Sequence, residues 1–324
     1  MGNDIAIKVS GLTKIFGKGE QQVKAVDNIS LQINQGEIFG FLGPNGAGKT
    51  TSLRMMVGLL EPTKGEVEIL GINPKEGQNE IKRVLGIIPQ EISLYPELTV
   101  EENMKFLADA YKIPKEVAKE RINRLIQALG LEDKRRTYVK NLSGGLKRRT
   151  NLIVSLIHDP DIILCDEPTP GLDPQSRVVV WDFIKNLKEK HGKTVILTTH
   201  FMEEADRLSD RVAIIDHGKV LVMDNPAKLK ASIGEGDLLE LELADANEEQ
   251  LETFVNDLKG FGKPIEDAYS SGGRILVRAL DIVRNLAKIL NSIEDKGAVV
   301  ENMSIRNTTL EDVFINLTGR ALRN

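Results

Sequence analysis

The 324-residue chain has one cysteine and no long apolar run, and both absences limit what it can be. The lone Cys165 excludes an internal disulfide and fits a reducing compartment. No stretch approaches the roughly 20 consecutive apolar residues that a membrane-spanning helix needs, so any membrane role has to come through a partner. Residues 1–10 are polar and contain no apolar signal-peptide segment, so we expect no secretory leader.

The chain also lacks an excess of basic residues. Its 43 Lys and Arg against 48 Asp and Glu give a net charge of −5. From Ala231 onward there are 17 acidic and 10 basic residues, a net charge of −7, which leaves +2 for the rest. Neither part has the basic surplus of a nucleic-acid binder, so no nucleic acid is expected as a partner. The length suggests about two domains, each able to bury its own core.

One glycine-rich stretch, residues 43–51, matches the pattern G-x-x-x-x-G-K-[ST] of a phosphate-binding loop. Residues 37–42 before it predict a buried strand, and residues 52–60 after it have apolar side chains at helical spacing. In that context backbone N–H groups surround a phosphate, Lys49 reaches the β- and γ-phosphates, and Thr50 ligates Mg²⁺. The alternative is a glycine turn before a helix, without a ligand. The nucleotide-binding residues predicted in this loop are Gly43, Pro44, Asn45, Gly46, Ala47, Gly48, Lys49, Thr50 and Thr51.

Polar side chains lie at the ends of three further apolar segments. Gln90 ends the first, where an amide can contact both Mg²⁺ and an attacking water. Asp166 and Glu167 end the second, and strand alternation predicts that they point to opposite sides, one serving the metal and the other the water. His200 ends the third. Because ligands bind at the carboxyl ends of strands in an open α/β sheet, we expect these residues to gather at the phosphate loop.

Other polar features are more ambiguous. Residues 143–145, a serine and two glycines, open a helix and form a second helix start suited to an anion. The cations at residues 147–149 are interpreted as a solvated face. Phe16, predicted on a loop ahead of the phosphate loop, could stack on an adenine ring or pack in the core of its own lobe. Asp173 lies in a rigid turn.

The remaining pattern concerns domain organisation. Residues 91 to about 158 are predicted to be mostly helical, and within them a capping box of Thr99 and Glu102 opens a helix from Val100 to Tyr111. The C-terminal part reads β-α-β-β-α-β, which suggests a small ferredoxin-like domain, and we find no catalytic constellation in it. A closing helix is capped by Thr308 or Thr309.

Together, the motifs in about the first 225 residues resemble those of the ATP-binding subunit of an ABC transporter. Residues 43–50 match the Walker A loop, residues 142–145 the ABC signature, and residues 162–167 Walker B with its catalytic glutamate. The family's A-, Q-, D- and H-loops are matched, in that order, by Phe16, Gln90, Asp173 and His200. Residues 309–314 look like the tail of drug-exporter-type subunits, and Leu146 replaces the Gln of many members, as happens in the exporter-like branch.

This resemblance implies an α/β protein of the P-loop NTPase, ABC ATPase fold, with a mixed sheet core, an antiparallel β lobe and a helical subdomain. The implied ABC ATP-binding domain covers residues 1–225, and a small α+β ferredoxin-like accessory domain covers residues 226–324.

The resemblance also implies ATP and Mg²⁺ as cofactors, and a role for each site residue. The implied metal ligands are Thr50, Gln90 and Asp166, and the implied catalytic residues are Glu167, His200 and Gln90. Beyond the phosphate loop, the implied nucleotide contacts are Phe16, Ser143, Gly144, Gly145 and Asp173.

The implied partners are a second copy of the chain, or a homologous ATPase subunit, and a separate membrane-embedded permease. The chain would then lie in the cytoplasm on the inner face of the cell membrane and power an exporter. The alternative is a soluble ABC ATPase acting on ribosomes or DNA, which long coiled-coil insertions or tandem cassettes would favour, and the chain has neither. A nucleotide-binding module without turnover is a further alternative, against which Glu167 and His200 argue.

Overall fold

The computed structural model describes residues 5–234, 236–244, 246–262 and 265–319. The chain divides into two compact units, Met1–Met223 and Asp224–Asn324. Within the described residues, no helix is both long and apolar enough to cross a membrane.

The first unit is built on a six-stranded sheet with the order β5-β6-β7-β3-β8-β9. The pairs β5–β6, β6–β7, β7–β3 and β3–β8 are all parallel, so these strands end at one edge. The strands are β3 (Ile38–Leu42), β5 (Leu85–Ile88), β6 (Ile162–Asp166), β7 (Thr194–Thr199), β8 (Arg211–Asp216) and β9 (Lys219–Asp224). Both faces of this sheet are covered. Along β3, Ile38 packs with one hydrophobic cluster, and Phe39 and Phe41 pack with the other.

The first unit also contains a three-stranded antiparallel sheet with the order β2-β1-β4. Its strands are β1 (Ile5–Phe16), β2 (Val23–Asn34) and β4 (Lys64–Ile69). Phe16 was predicted on a loop, and that is wrong: it is the last residue of β1 and pairs with Val23. Register shifts between Val9 and Ile15 keep β1 paired with β2 as far as Phe16.

Among residues 5–223, seven α-helices connect these strands. They are α1 (Lys49–Met56), α2 (Gln78–Val84), α3 (Val100–Ala110), α4 (Lys115–Ala128), α5 (Gly144–Ser155), α6 (Pro174–Glu189) and α7 (Met202–Leu208). The predicted capping box is confirmed, since the Thr99 side chain accepts from the Glu102 N–H and the Glu102 carboxylate accepts from Thr99 N. Helix α1 begins at Lys49, three residues before the predicted helix, because the left-handed Gly48 ends the loop directly at its N-terminus.

The second unit has one four-stranded antiparallel sheet with the order β11-β12-β10-β13. Its elements are α8 (Pro226–Ser232), β10 (Asp237–Leu243), α9 (Glu248–Gly260), β11 (Ile265–Ser271), β12 (Arg274–Ala279), α10 (Ile282–Glu294), β13 (Val300–Arg306) and α11 (Leu310–Thr318). The connectivity from β10 to β13 is that of two interleaved β-α-β units. Of the two candidate caps for the closing helix, it is Thr309 whose side chain accepts from the Asp312 N–H.

Candidate active site

The glycine-rich loop lies between β3 and α1, and its backbone leaves little choice of residue at two positions. A Cβ at Gly43 would lie 2.1 Å from the carbonyl oxygen of Ile215. Gly48 has φ +99°, and a Cβ there would lie 2.4 Å from the carbonyl oxygen of Ala25. Side chains at these positions would therefore push the loop away from the neighbouring strands.

Lys49 is buried, and its ammonium group turns back into the loop. Its Nζ donates to the carbonyl oxygens of Gly43 at 2.8 Å and Pro44 at 3.1 Å, and it lies 3.8 Å from Glu167 Oε1. Burial lowers the pKa of Lys49, while the carboxylates of Glu167 and Asp166 oppose that shift. The geometry holds one positive charge where the loop closes, as a phosphate site requires.

Asp166, the last residue of β6, is buried and holds two hydroxyl groups. Its Oδ1 accepts from Thr50 Oγ1 at 2.9 Å and from Thr198 Oγ1 at 2.6 Å. Sequence reasoning missed Thr198, although it lies opposite Asp166 in the parallel pair of β6 and β7. These three side chains offer oxygen atoms, the donor type that Mg²⁺ prefers, whereas the contact of the Gln90 amide is with Glu167.

Glu167 lies just beyond β6, and three other predicted site residues converge on its carboxylate. Gln90 Nε2 donates to Oε2 at 3.1 Å, His200 Nδ1 lies 3.3 Å from Oε1, and the Lys49 ammonium lies 3.8 Å from Oε1. Strand alternation was expected to direct Asp166 and Glu167 to opposite sides, but the strand ends at Asp166. Glu167 has left the strand and has φ +47°, so alternation no longer applies to it.

The other predicted residues form a second cluster at two helix starts. Ser143 caps α5, with its Oγ accepting from the Leu146 N–H at 3.4 Å, and Asp173 caps α6 by accepting from the Ser176 N–H at 2.9 Å. That N–H donor lowers the pKa of Asp173. A Cβ at Gly145 would lie 2.9 Å from Ser176 Oγ, so the two starts pack closely, whereas a Cβ at Gly144 would have no neighbour within 4 Å.

Phe16 lies at the end of the antiparallel sheet. Its ring is 43% exposed, with the Lys14 ammonium 5.2 Å from its centroid. An exposed face of this kind is open to a planar ligand, and stacking on adenine stays a prediction.

One cation of the 147–149 run contradicts the sequence interpretation. Arg148 was predicted on a solvated face, yet it is 4% exposed and its guanidinium group donates to backbone carbonyls of the catalytic region. Three consecutive cations usually mark a surface, so no pattern in the sequence indicated that the middle one is buried.

Comparison with known proteins places this site in a family. A family model for ABC transporters matches residues 26–170. The Nod factor export ATP-binding protein I of Ralstonia nicotianae is 36% identical over 100% of this chain and 97% of its own length. A daunorubicin resistance ATP-binding protein of Streptomyces coeruleorubidus is 34% identical over 98% of this chain and 96% of its own length. These relatives are transport and resistance proteins, so a role on ribosomes or DNA receives no support.

A solved structure agrees with the fold of the first unit. The dimeric, post-hydrolysis state of an ATP-binding cassette bound to ADP and Pi aligns with a TM-score of 0.62 and 30% identity, covering 68% of this chain and 98% of that one. ATP-binding subunits of this kind dimerise and work with a separate membrane subunit. The chain therefore belongs to the ABC transporter family, as a subunit that binds ATP with Mg²⁺ and hydrolyses it to drive transport.

Proposed function

We propose that Glu167 is the general base of ATP hydrolysis and that the residues around it bind the phosphates and the metal ion. The observation that carries this proposal is the convergence of Gln90, His200 and Lys49 on one buried carboxylate. Lys49 and the loop N–H groups hold the phosphates. Glu167 takes the proton of the attacking water, and His200 contacts the γ-phosphate.

Thr50, Gln90 and Asp166 would hold Mg²⁺, which neutralises phosphate charge when bound. The Thr50 and Thr198 hydroxyl groups already orient the Asp166 carboxylate, so this ligand is fixed before the ion arrives.

The test of the base is Glu167→Gln, which keeps the shape of the side chain and removes its basicity. The rate of ATP hydrolysis should fall by about 10²- to 10⁴-fold, while the affinity for ATP stays close to that of the unmodified chain. Turnover would be followed by phosphate release and binding by titration with a fluorescent ATP analogue. Turnover within a few-fold of the unmodified chain would contradict the assignment of Glu167 as the base.

We further propose that the cluster of residues 143–145 and Asp173 serves the nucleotide of a partner protomer. The phosphate loop of the same chain already surrounds one triphosphate, so a second phosphate-ready helix start is useful only to a second nucleotide. A two-fold dimer would place this cluster of each copy on the loop of the other. The open space beside Gly144 supports this arrangement.

The membrane partner is proposed to dock in a groove of the first unit. This groove has a volume of about 630 Å³, and Pro89, the residue before Gln90, is one of the residues that line it. It is lined by apolar and aromatic side chains that include Leu59, Tyr95, Phe106, Tyr111 and His158. Tyr95 and Phe106 are about half exposed, with their ring centroids 4.7 Å apart. A short amphipathic helix from a cytoplasmic loop of the permease would match this surface and lie next to the catalytic region.

Docking is tested with Phe106→Glu and with Val117→Glu as the matched control. Both side chains are exposed apolar groups on the helical region, and Val117 does not line the groove. A membrane-spanning protein should copurify with the unmodified chain and with Val117→Glu, but not with Phe106→Glu. ATP hydrolysis by the isolated chain should be the same in all three. Equal recovery with Phe106→Glu would exclude the groove.

We propose that the chain powers an exporter and lies on the inner face of the cell membrane. The two named above are an export protein and a drug-resistance protein, and each matches this chain over nearly its whole length. This supports an exporter whose ATPase lies in the cytoplasm, on the inner face of the cell membrane, held there by its permease.

A further inference from the structure

Arg148 is a buried cation that has no part in the proposed mechanism of hydrolysis. It lies in α5, and its side chain is almost inaccessible, with 4% of the residue exposed. Its three nitrogens donate to five backbone carbonyl oxygens. Nε contacts Pro168 at 2.7 Å, one terminal nitrogen contacts Pro89 at 2.6 Å and Gln90 at 3.1 Å, and the other contacts Glu167 at 2.7 Å and Asp166 at 3.4 Å.

These carbonyls need a donor because the sheet ends beneath them. The register between β5 and β6 stops at the pair Ile88 and Cys165, so the chain beyond it has lost its ladder partners on that side. A buried carbonyl without a donor costs about 1–3 kcal/mol. A planar guanidinium has five N–H donors in a fixed fork, more than any other side chain, and can therefore serve several such oxygens at once.

The arrangement joins two segments that carry different catalytic side chains. One terminal nitrogen holds the backbone at Gln90, while Nε and the other terminal nitrogen hold the backbone from Asp166 to Pro168. The side chains of Gln90 and Glu167 meet at 3.1 Å. Beyond the last β5–β6 pair, Ile88 and Cys165, the guanidinium group therefore links the two backbone segments that carry those side chains.

We propose that Arg148 is a positioning residue: it fixes Gln90 against Glu167 and ties the helix that begins at Ser143 to the hydrolytic centre. This inference rests on the roles proposed for Gln90 and Glu167. Because Arg148 lies on the same rigid helix as Ser143, a displacement of the helix start moves the carbonyls that orient the base. In a dimer, the helix start that serves the partner's nucleotide thereby acts on hydrolysis in its own site.

The test compares Arg148→Lys and Arg148→Gln with the unmodified full-length chain. Neither change touches the phosphate loop, so affinity for a fluorescent ATP analogue should stay within about twofold. A misplaced base costs rate, so kcat at saturating ATP and Mg²⁺ should fall by about 10- to 100-fold with Gln. Lys keeps the charge and some of the donors, and its kcat should lie between those of Gln and Arg. Combining Arg148→Gln with Gln90→Ala should lower kcat by less than the product of the two single effects.

Arg135→Gln is the matched control, since Arg135 donates to Glu101 at 2.6 and 3.0 Å and to Asn123 at 2.7 Å. It should lower the melting temperature and leave kcat unchanged when all variants are assayed well below their melting temperatures. If Arg148→Gln does not fold, the kcat of Arg148→Lys tests the positioning role. Folded Arg148 variants with unchanged kcat, or an equal loss of kcat in Arg135→Gln, overturn the positioning role. Glu167→Gln, assayed in parallel, separates this result from a failure of the proposed site: full activity there overturns the base assignment itself.

Discussion

At the residue scale, the site depends on charges that are buried and close to one another. Lys49 is 5% exposed and Glu167 is 8% exposed, with their charged atoms 3.8 Å apart. In this low-dielectric setting each group interacts more strongly than it would at the surface. Single substitutions should therefore have large and separable effects.

Lys49→Ala should weaken ATP binding itself, by about 10- to 100-fold, because it removes a charge-assisted contact with the phosphates. Equilibrium titration with a fluorescent ATP analogue measures the change. Lys105→Ala is the control, since Lys105 is an exposed lysine that pairs with Glu101 on α3. Unchanged affinity in Lys49→Ala would mean that the loop binds something other than a triphosphate.

Glu204 offers a pH-dependent effect on stability. It is fully buried, and Oε1 accepts from Thr169 Oγ1 at 2.7 Å and from Trp181 Nε1 at 2.9 Å. Burial raises the pKa of Glu204 above the usual 4.5. The folded chain thus holds this proton more tightly than the unfolded chain does, and stability is lost as pH rises from about 4.5 through the folded pKa.

Glu204→Gln cannot titrate, so its free energy of unfolding should decline less over that pH range than that of the unmodified chain. Urea melts at a series of pH values measure the slope. Glu203→Gln, an exposed neighbour on α7, should keep the original slope. Parallel curves for Glu204→Gln and the unmodified chain would show that folding does not raise the pKa of Glu204.

At the scale of elements, substitutions at the start of α5 distinguish an effect on the monomer from an effect on a partner protomer. A Cβ at Gly144 meets no atom within 4 Å, whereas a Cβ at Gly145 lies 2.9 Å from Ser176 Oγ. Alanine also favours a helix more than glycine does. Gly144→Ala should therefore be tolerated by the isolated chain.

In a Glu167→Gln background, ATP should drive a dimer that light scattering detects, and adding Gly144→Ala should prevent it because the methyl group occupies the space for the partner's nucleotide. ATP affinity of the monomer and its melting temperature should stay unchanged. Gly145→Ala serves as the contrast, since it should lower the melting temperature of the monomer. Lost ATP affinity in a folded Gly144→Ala monomer would show that the cluster acts on the nucleotide of its own chain.

At the scale of the whole molecule, every predicted site residue belongs to the first unit, Met1–Met223. The second unit has its own core, in which Leu239, Val277 and Ile289 are buried. Because each unit has its own core, we expect the first unit to fold without the second.

A chain that ends at Asn225 should therefore remain soluble, melt cooperatively and bind ATP with the affinity of the full chain. Thermal denaturation and nucleotide titration are the measurements. Aggregation, or the absence of a cooperative transition, would show that the second unit is part of the ATPase fold and would contradict a domain boundary near residue 225.

Features with a local cause could be predicted from the sequence. The glycine loop, the capping box at Thr99 and a threonine cap at residue 308 or 309 depend on residues within a few positions of one another. The gathering of Gln90, Glu167 and His200 was also predictable, because parallel strands bring their carboxyl ends to one edge whatever lies between them.

Tertiary structure decided what depends on pairing between distant segments. Thr198 contacts Asp166 only through the register of two strands, and Arg148 is buried only because the sheet leaves carbonyls without donors beside α5. The backbone of Glu167 takes a left-handed conformation where β6 ends, so the strand pattern before it does not fix its direction. A sequence pattern records each residue's neighbours along the chain, whereas burial and hydrogen bonding depend on its neighbours in space.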